Sequence, residues 1–184
     1  MDEKIMSWFI TFNGRQAYPL HLKVEDVLIT DIAHSLSRLA RFQGHFLPEH
    51  YSVAEHSVLV SHLVPKRLAF HGLMHDAAEA YCGDVITPIK QMPGMAAYRA
   101  MERRVQEVIR EKFGMARLSL VDAMKLRRAD MVALLTEKRD LIVPHPWPWD
   151  VEKEGLKPST IWNCPCLSAH EAKAMFLSRF YELR

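Results

Sequence analysis

A chain of 184 residues with 49% hydrophobic and 25% charged residues has the size and composition of one globular domain. Its net charge of +2 at pH 7 is too small to indicate stable nucleic-acid binding, and its three cysteines, an odd number, indicate no disulfide framework. The chain also lacks an apolar run close to the ~20 residues that a membrane span needs. The composition therefore predicts a single cytoplasmic domain over residues 1–184, without a membrane segment.

The N-terminal region, residues 1–28, is predicted to contain a β-hairpin. Apolar residues alternate with polar ones from Trp8 to Phe12 and precede Asn13-Gly14. These two residue types suit the positive φ angles of a tight turn between antiparallel strands. After the hairpin the periodicity becomes helical, and Thr30 or Asp31 can cap a helix that ends at Phe42.

The remainder of the chain is predicted to be mainly helical. Apolar residues recur at helical spacing in four further segments, 52–64, 67–81, 95–113 and 119–142. A capping box formed by Ser168 and Glu171 begins a last helix over residues 168–182. Before it, residues 143–166 hold many prolines and three of the four tryptophans, and a long irregular segment of this kind is often functional. The sequence therefore predicts an all-α fold with a small N-terminal hairpin.

A histidine stands directly beside an aspartate, His75-Asp76, in an otherwise apolar segment. Burying such groups unpaired costs several kcal/mol, so we expect them to bind a cation. Adjacent side chains of a helix diverge by about 100°, so this pair cannot close a site alone. His56, in the preceding helix, and Asp130, in a long apolar helix, are the candidates for the other ligands. Two imidazoles and two carboxylates suit Mn, Fe, Co, Ni or Zn, and Mg more weakly.

This H…HD…D pattern resembles that of the HD superfamily of metal-dependent phosphohydrolases. The chain is most similar to a small bacterial and phage branch that includes 5′-deoxynucleotidases and phage dATP triphosphohydrolases. The resemblance covers most of the chain and is densest in DIAHSLSRLARF (31–42), YSVAEHS (51–57) and HDAAEAYCGDVITPIK (75–90). It implies a helical HD-domain bundle with one or two divalent metal ions (Mn, Co, Zn or Mg), held by His56, His75, Asp76 and Asp130.

Two acidic residues follow the His-Asp pair at a spacing that suggests catalysis. Glu79 would share a helix face with His75, where a carboxylate can orient a metal-bound water or protonate the leaving oxygen. The resembling deoxynucleotidases also carry an aspartate five residues after this glutamate, and Asp84 occupies that place. We therefore assign the general acid/base role to Glu79 and a supporting role to Asp84.

Cationic and aromatic side chains are the candidates for substrate binding. Arg38 and Arg41 lie three residues apart, on one face of the helix predicted to end at Phe42, and guanidinium groups match phosphate oxygens. The resembling nucleotidases have an arginine followed by an aromatic residue here. By this resemblance Arg41 contacts phosphate or sugar, and Phe42 forms a wall of the nucleoside pocket. Lys90 is a second candidate phosphate-binding cation.

The resemblance implies an enzyme that cleaves the 5′-phosphoester of a deoxynucleotide at the α-phosphate and releases a deoxynucleoside. It favours a deoxypurine substrate, dATP or dAMP, and leaves open the choice between triphosphate and monophosphate. We also expect a homo-oligomer. Two alternatives remain: a non-catalytic HD module that binds nucleotide or metal as a sensor, and an alarmone hydrolase. The alarmone hydrolases continue the motif as H-D-x-x-E-D, whereas this chain has Ala80 in the last place.

Overall fold

The computed structural model describes residues 7–184, and the first six residues of the predicted hairpin region lie outside it. Two antiparallel strands, β1 (Phe9–Ile10) and β2 (Gln16–Ala17), form the predicted hairpin. Gly14 in the connecting turn has a φ of +75°, a conformation that glycine adopts without strain. The N-terminal hairpin is therefore confirmed.

Helices make up the rest of the described architecture. In chain order they are α1 (Ile29–Leu36), α2 (Val53–Leu63), α3 (Ala69–Leu73), α4 (Glu79–Cys82), α5 (Thr87–Lys90), α6 (Ala96–Lys112), α7 (Leu120–Leu141), α8 (Asp150–Lys153) and α9 (Ala169–Glu182). The predicted capping box of the last helix is present, with Ser168 as its N-cap. The fold is all-α with an N-terminal hairpin, as the sequence predicts. Within residues 7–184 no helix combines the length and the apolar character needed to cross a membrane.

Helix α2 lies at the centre of the fold and packs against α3, α7 and α9. Residues 53–61 are all buried, which is typical of a helix enclosed by others rather than of one at the surface. Its buried N-terminus is satisfied by a capping box, in which Glu55 accepts from the backbone and hydroxyl of Ser52. This cap fixes the first turn of α2, which carries His56.

The helix predicted to reach Phe42 ends earlier, at Leu36. The backbone that follows bonds to residues 51–53 instead, since Arg41 donates its N–H to the carbonyl of Tyr51 and Val53 donates to that of Leu39. The prediction that Arg38 and Arg41 share a helical face is therefore wrong. Arg41 begins a separate short turn.

The segment 67–81, predicted as one helix, is divided between α3 and α4. Between these two helices, backbone N–H groups bond three residues back, as Ala77 does to Met74 (3.2 Å) and Glu79 does to Asp76 (3.0 Å). His75 and Asp76 consequently lie at a break between two helices rather than inside one. This break decides where their side chains point.

Candidate metal centre

Three side chains from separate parts of the fold converge beside α2. They are His56 of α2, His75 of the break between α3 and α4, and Asp130 of α7, and one ligand atom of each lies within 4.8 Å of the other two. Oδ1 of Asp130 is 3.2 Å from Nε2 of His56 and 3.9 Å from Nε2 of His75. The three residues form a cluster that could hold a metal ion, as the sequence predicts.

Asp76, the fourth predicted ligand, lies against both imidazoles. Its Oδ2 is 3.1 Å from Nε2 of His75 and 3.6 Å from Nε2 of His56. Atoms that bind one metal ion at ~2.0–2.2 Å are themselves roughly 3–3.5 Å apart, which is close to these separations. All four predicted ligands are thus brought together.

The two imidazoles are oriented by hydrogen bonds on their far sides. Nδ1 of His56 lies 2.6 Å from Oε1 of Glu137, and Nδ1 of His75 lies 2.8 Å from the carbonyl oxygen of Gly72. A carboxylate or carbonyl oxygen accepts, so Nδ1 carries the proton of each neutral ring and Nε2 keeps a lone pair. Among the described residues, both buried Nε2 atoms are without a hydrogen-bond partner. This donor set fits a divalent cation.

The charges around the cluster favour a cation. Burial and Arg41 lower the pKa of His56, but Glu137 and Asp130 outweigh them and raise it to about 10. The pKa of Asp76 lies below its ordinary value, because the two histidines outweigh the opposing effect of burial. In the metal-free chain His56 therefore holds a second proton, on the Nε2 that faces Asp130, while Asp76 stays ionised, and a metal ion would have to displace that proton from Nε2.

Glu137 is a site residue that the sequence motif does not reveal. Its fully buried carboxylate binds Nδ1 of His56 through one oxygen and Nη2 of Arg41 through the other, at 3.0 Å. Burial raises the pKa of Glu137, but Arg41 and His56 lower it more, so the group stays ionised. A signal was available, because Glu137 follows Asp130 by seven residues and therefore lies on the same face of α7.

The two predicted catalytic acids differ from the metal ligands in their electrostatics. Burial raises the pKa of Glu79 to about 9, and the neighbouring carboxylates of Asp76 and Asp84 act in the same direction. Burial also raises the pKa of Asp84, while Arg41 opposes this rise. Glu79 therefore holds a proton at neutral pH, as a general acid must.

Lys90, predicted to bind phosphate, is engaged with carboxylates of the protein. Its Nζ lies 2.7 Å from Oε1 of Glu102 and 3.7 Å from Oε1 of Glu79. Arg99 holds the same turn by donating to the backbone carbonyl of Lys90. In this arrangement Lys90 is placed to orient Glu79.

The predicted substrate-binding residues are separated by the end of α1. Arg38 is exposed and lines a cavity of about 400 Å³ between the hairpin and α1. Arg41 is nearly buried beside Glu137, and its guanidinium lies 5.3 Å from the ring centre of Phe42. The Phe42 ring is in turn 6.0 Å from that of Trp149, which brings the segment 143–166, irregular apart from α8, to the edge of the site.

Comparison with known proteins gives a family for the chain. No family model matches it. It is 42% identical over 178 residues to the uncharacterized protein YfdR of Escherichia coli strain K12, a match that covers 97% of this chain and 96% of YfdR. The chain belongs to the YfdR family. This YfdR-family chain is also 33% identical over 144 residues to an uncharacterized protein of Rhodobacter capsulatus. That alignment covers 73% of this chain and 73% of the relative. The YfdR match extends over the hairpin, the metal cluster and the last helix together.

Proposed function

We propose that the chain is a metal-dependent phosphohydrolase of the HD superfamily. It would cleave the 5′-phosphoester of a deoxynucleotide at the α-phosphate and release a deoxynucleoside. The observation that carries this proposal is the pair of buried Nε2 atoms, of His56 and His75, that face the carboxylates of Asp76 and Asp130. These four residues would hold the metal ion, which supplies a bound water of lowered pKa at neutral pH.

The acids beside the cluster would move the protons of the reaction. Glu79, protonated at neutral pH, donates its proton to the leaving 5′-oxygen. The ammonium group of Lys90, 3.7 Å from Oε1 of Glu79, favours the carboxylate that Glu79 becomes once it has given up the proton. Asp84 assists in orienting the attacking water. Loss of Glu79 should therefore affect turnover more than binding.

The nucleoside would bind where Phe42 and Trp149 meet. Their tilted rings supply an apolar wall, and Nε of Arg41 is buried there with no hydrogen-bond partner in the described part of the chain. An unpaired guanidinium nitrogen is a donor for a sugar or phosphate oxygen. On resemblance, we propose a deoxypurine nucleotide as the substrate.

A second cavity supports a triphosphate rather than a monophosphate. Its volume is about 400 Å³, it reaches His75, and its lining includes Arg110 and Arg117. Leu126 also lines it and precedes Asp130 by four residues, one helical turn or about 6 Å along α7. The cavity thus lies beside the candidate metal ligands and carries two guanidinium groups, each paired with Glu107 at 3.1 Å, which outer phosphates would bind in place of that carboxylate.

The experiment that tests the function is a metal-supplemented screen of deoxy- and ribonucleoside mono-, di- and triphosphates, with the products separated by chromatography. We expect a deoxynucleoside and inorganic triphosphate from dATP, and no product from the His75→Ala variant. Pyrophosphate plus a monophosphate would contradict cleavage at the α-phosphate. Tight nucleotide binding without turnover would favour a sensor, and turnover of guanosine tetraphosphate would favour an alarmone hydrolase.

A further inference from the structure

The His75-Asp76 pair poses a geometric problem that the fold must solve. On a regular α-helix the two side chains would diverge by about 100°, yet Nε2 of His75 and Oδ2 of Asp76 are 3.1 Å apart. Their convergence depends on the break between α3 and α4. Whatever holds that break open also holds the two ligands together.

The side chain of Gln106, on α6, occupies the break. Its Nε2 donates to the carbonyl oxygen of Met74 (2.8 Å), and its Oε1 accepts from the N–H of Ala78 (3.1 Å). In a continuous α-helix these two backbone groups would bond to each other, because Ala78 follows Met74 by four residues. The amide of Gln106 thus replaces one of the two helical hydrogen bonds that would span His75 and Asp76, and the other is lost because Ala77 donates to Met74 instead of Leu73.

The chemistry of an amide suits this position. A glutamine offers a donor and an acceptor on one rigid plane, whereas a carboxylate only accepts and an aliphatic side chain does neither. Side chains that insert into a helical ladder in this way produce sharp kinks. The helix that carries Gln106 is itself fixed in the core by the buried residues Val105 and Ile109. The Gln106 side chain is therefore fixed at one end by the packing of α6 and at the other by its hydrogen bonds to Met74 and Ala78.

We propose that Gln106 is the positioning residue of the metal centre. By bridging Met74 and Ala78 it keeps the helix open at His75-Asp76, so that both side chains face one ion. This inference rests on the proposed metal-dependent function. Residues that orient metal ligands typically change affinity by about 10- to 100-fold when they are replaced.

The test compares Co²⁺ binding by the wild-type chain with binding by Gln106→Met and Gln106→Glu, using calorimetry and the visible absorption of bound Co²⁺. Methionine keeps the length of the side chain and removes both hydrogen bonds, so we expect the Kd to rise by about 10- to 100-fold. Glutamate keeps the acceptor for Ala78 but loses the donor to Met74, and should give a smaller rise. Arg103→Met, at an exposed position of α6, is the matched control and should leave the Kd unchanged.

Urea denaturation with a chelator present separates positioning from simple structural support. Loss of stability in a Gln106 variant without any rise in its Kd would overturn the proposal, as would an altered Kd in Arg103→Met. If Gln106→Met does not fold, the Kd of Gln106→Glu for Co²⁺ is compared with that of the wild type, and an unchanged value overturns the proposal. A wild-type chain that binds no Co²⁺ would overturn the metal site and this proposal together. Wild-type binding with unchanged Kd values in the Gln106 variants would overturn the role of Gln106 alone.

Discussion

Replacing Glu79 with glutamine should stabilise the metal-free chain at neutral pH. Burial, with the charges of Asp76 and Asp84, raises the pKa of Glu79 from 4.5 to about 9. Between these two values the folded chain keeps the proton while the unfolded chain releases it. The free energy of unfolding therefore falls as the pH rises from the pKa of Glu79 in the unfolded chain to its pKa in the folded chain. A glutamine of nearly the same shape has no proton to release.

The magnitude follows from the two pKa values of Glu79. At pH 7 the solution is about 2.5 pH units above the pKa of Glu79 in the unfolded chain. Each unit corresponds to 1.36 kcal/mol, so Glu79 lowers the free energy of unfolding of the wild type by about 3 kcal/mol. At pH 5 the same reasoning gives only about 0.7 kcal/mol. For a chain of this length, the difference at pH 7 corresponds to a rise in Tm of roughly 6–12 °C in the glutamine variant.

The assay is urea denaturation of the wild type and Glu79→Gln at pH 5, 6, 7 and 8, in the presence of a chelator. The difference in the free energy of unfolding should grow by about 1.4 kcal/mol per pH unit. Glu111→Gln, an exposed change on α6, serves as the control and should show no such growth. A difference that is the same at pH 5 and pH 8, or a variant less stable than the wild type at pH 7, would refute the reasoning.

Three further changes test the site. In His56→Ala the stabilisation by Co²⁺, about 2.7 kcal/mol for a wild type at 100 times its Kd, should disappear from thermal melts; if it persists, the ligand set is wrong. Glu137→Ala leaves the charge of Arg41 buried and unpaired, so denaturation should show a loss of about 3–5 kcal/mol, and a loss below 1 kcal/mol would contradict that pairing. Arg110→Ala should raise the KM for dATP about tenfold, the equivalent of ~1.4 kcal/mol, and leave that for dAMP unchanged; equal effects on both would place the outer phosphates elsewhere.

Local signals in the sequence predicted local structure well. The N-terminal hairpin and the capping box at Ser168 depend on residues a few positions apart, and both are present in the structure. The hairpin turn is longer than predicted, because residues 11–15 join the strands and Gly14 has a positive φ while Asn13 does not. The candidate metal ligands could be predicted because a histidine beside an aspartate in an apolar segment has few structural explanations. The side chains of these residues converge as expected.

The features that the sequence did not predict depend on contacts between distant parts of the chain. The break at His75-Asp76 involves Gln106, about thirty positions away. The helical periodicity of residues 67–81 does not predict this break. The early end of α1 depends on backbone hydrogen bonds to residues 51–53. The spacing of seven residues from Asp130 places Glu137 on the same face of α7, but its contact with His56 forms only once α2 and α7 are packed together.

The turn that follows α1 connects the candidate metal cluster, through Glu137, with the candidate catalytic residue Asp84. Phe42 and Gln43 have φ angles of 51° and 55°, a left-handed conformation that costs of order 1–3 kcal/mol for each residue other than glycine. The contacts on either side of the turn offset this strain. Arg41 reaches Glu137 on one side, and the Gln43 amide donates to the carbonyl of Asp84 (3.2 Å) on the other. Because Glu137 orients His56, changes at Phe42, in the wall of the proposed nucleoside pocket, should also alter metal binding. In the proposed enzyme, substrate selection and metal affinity are thus expected to vary together.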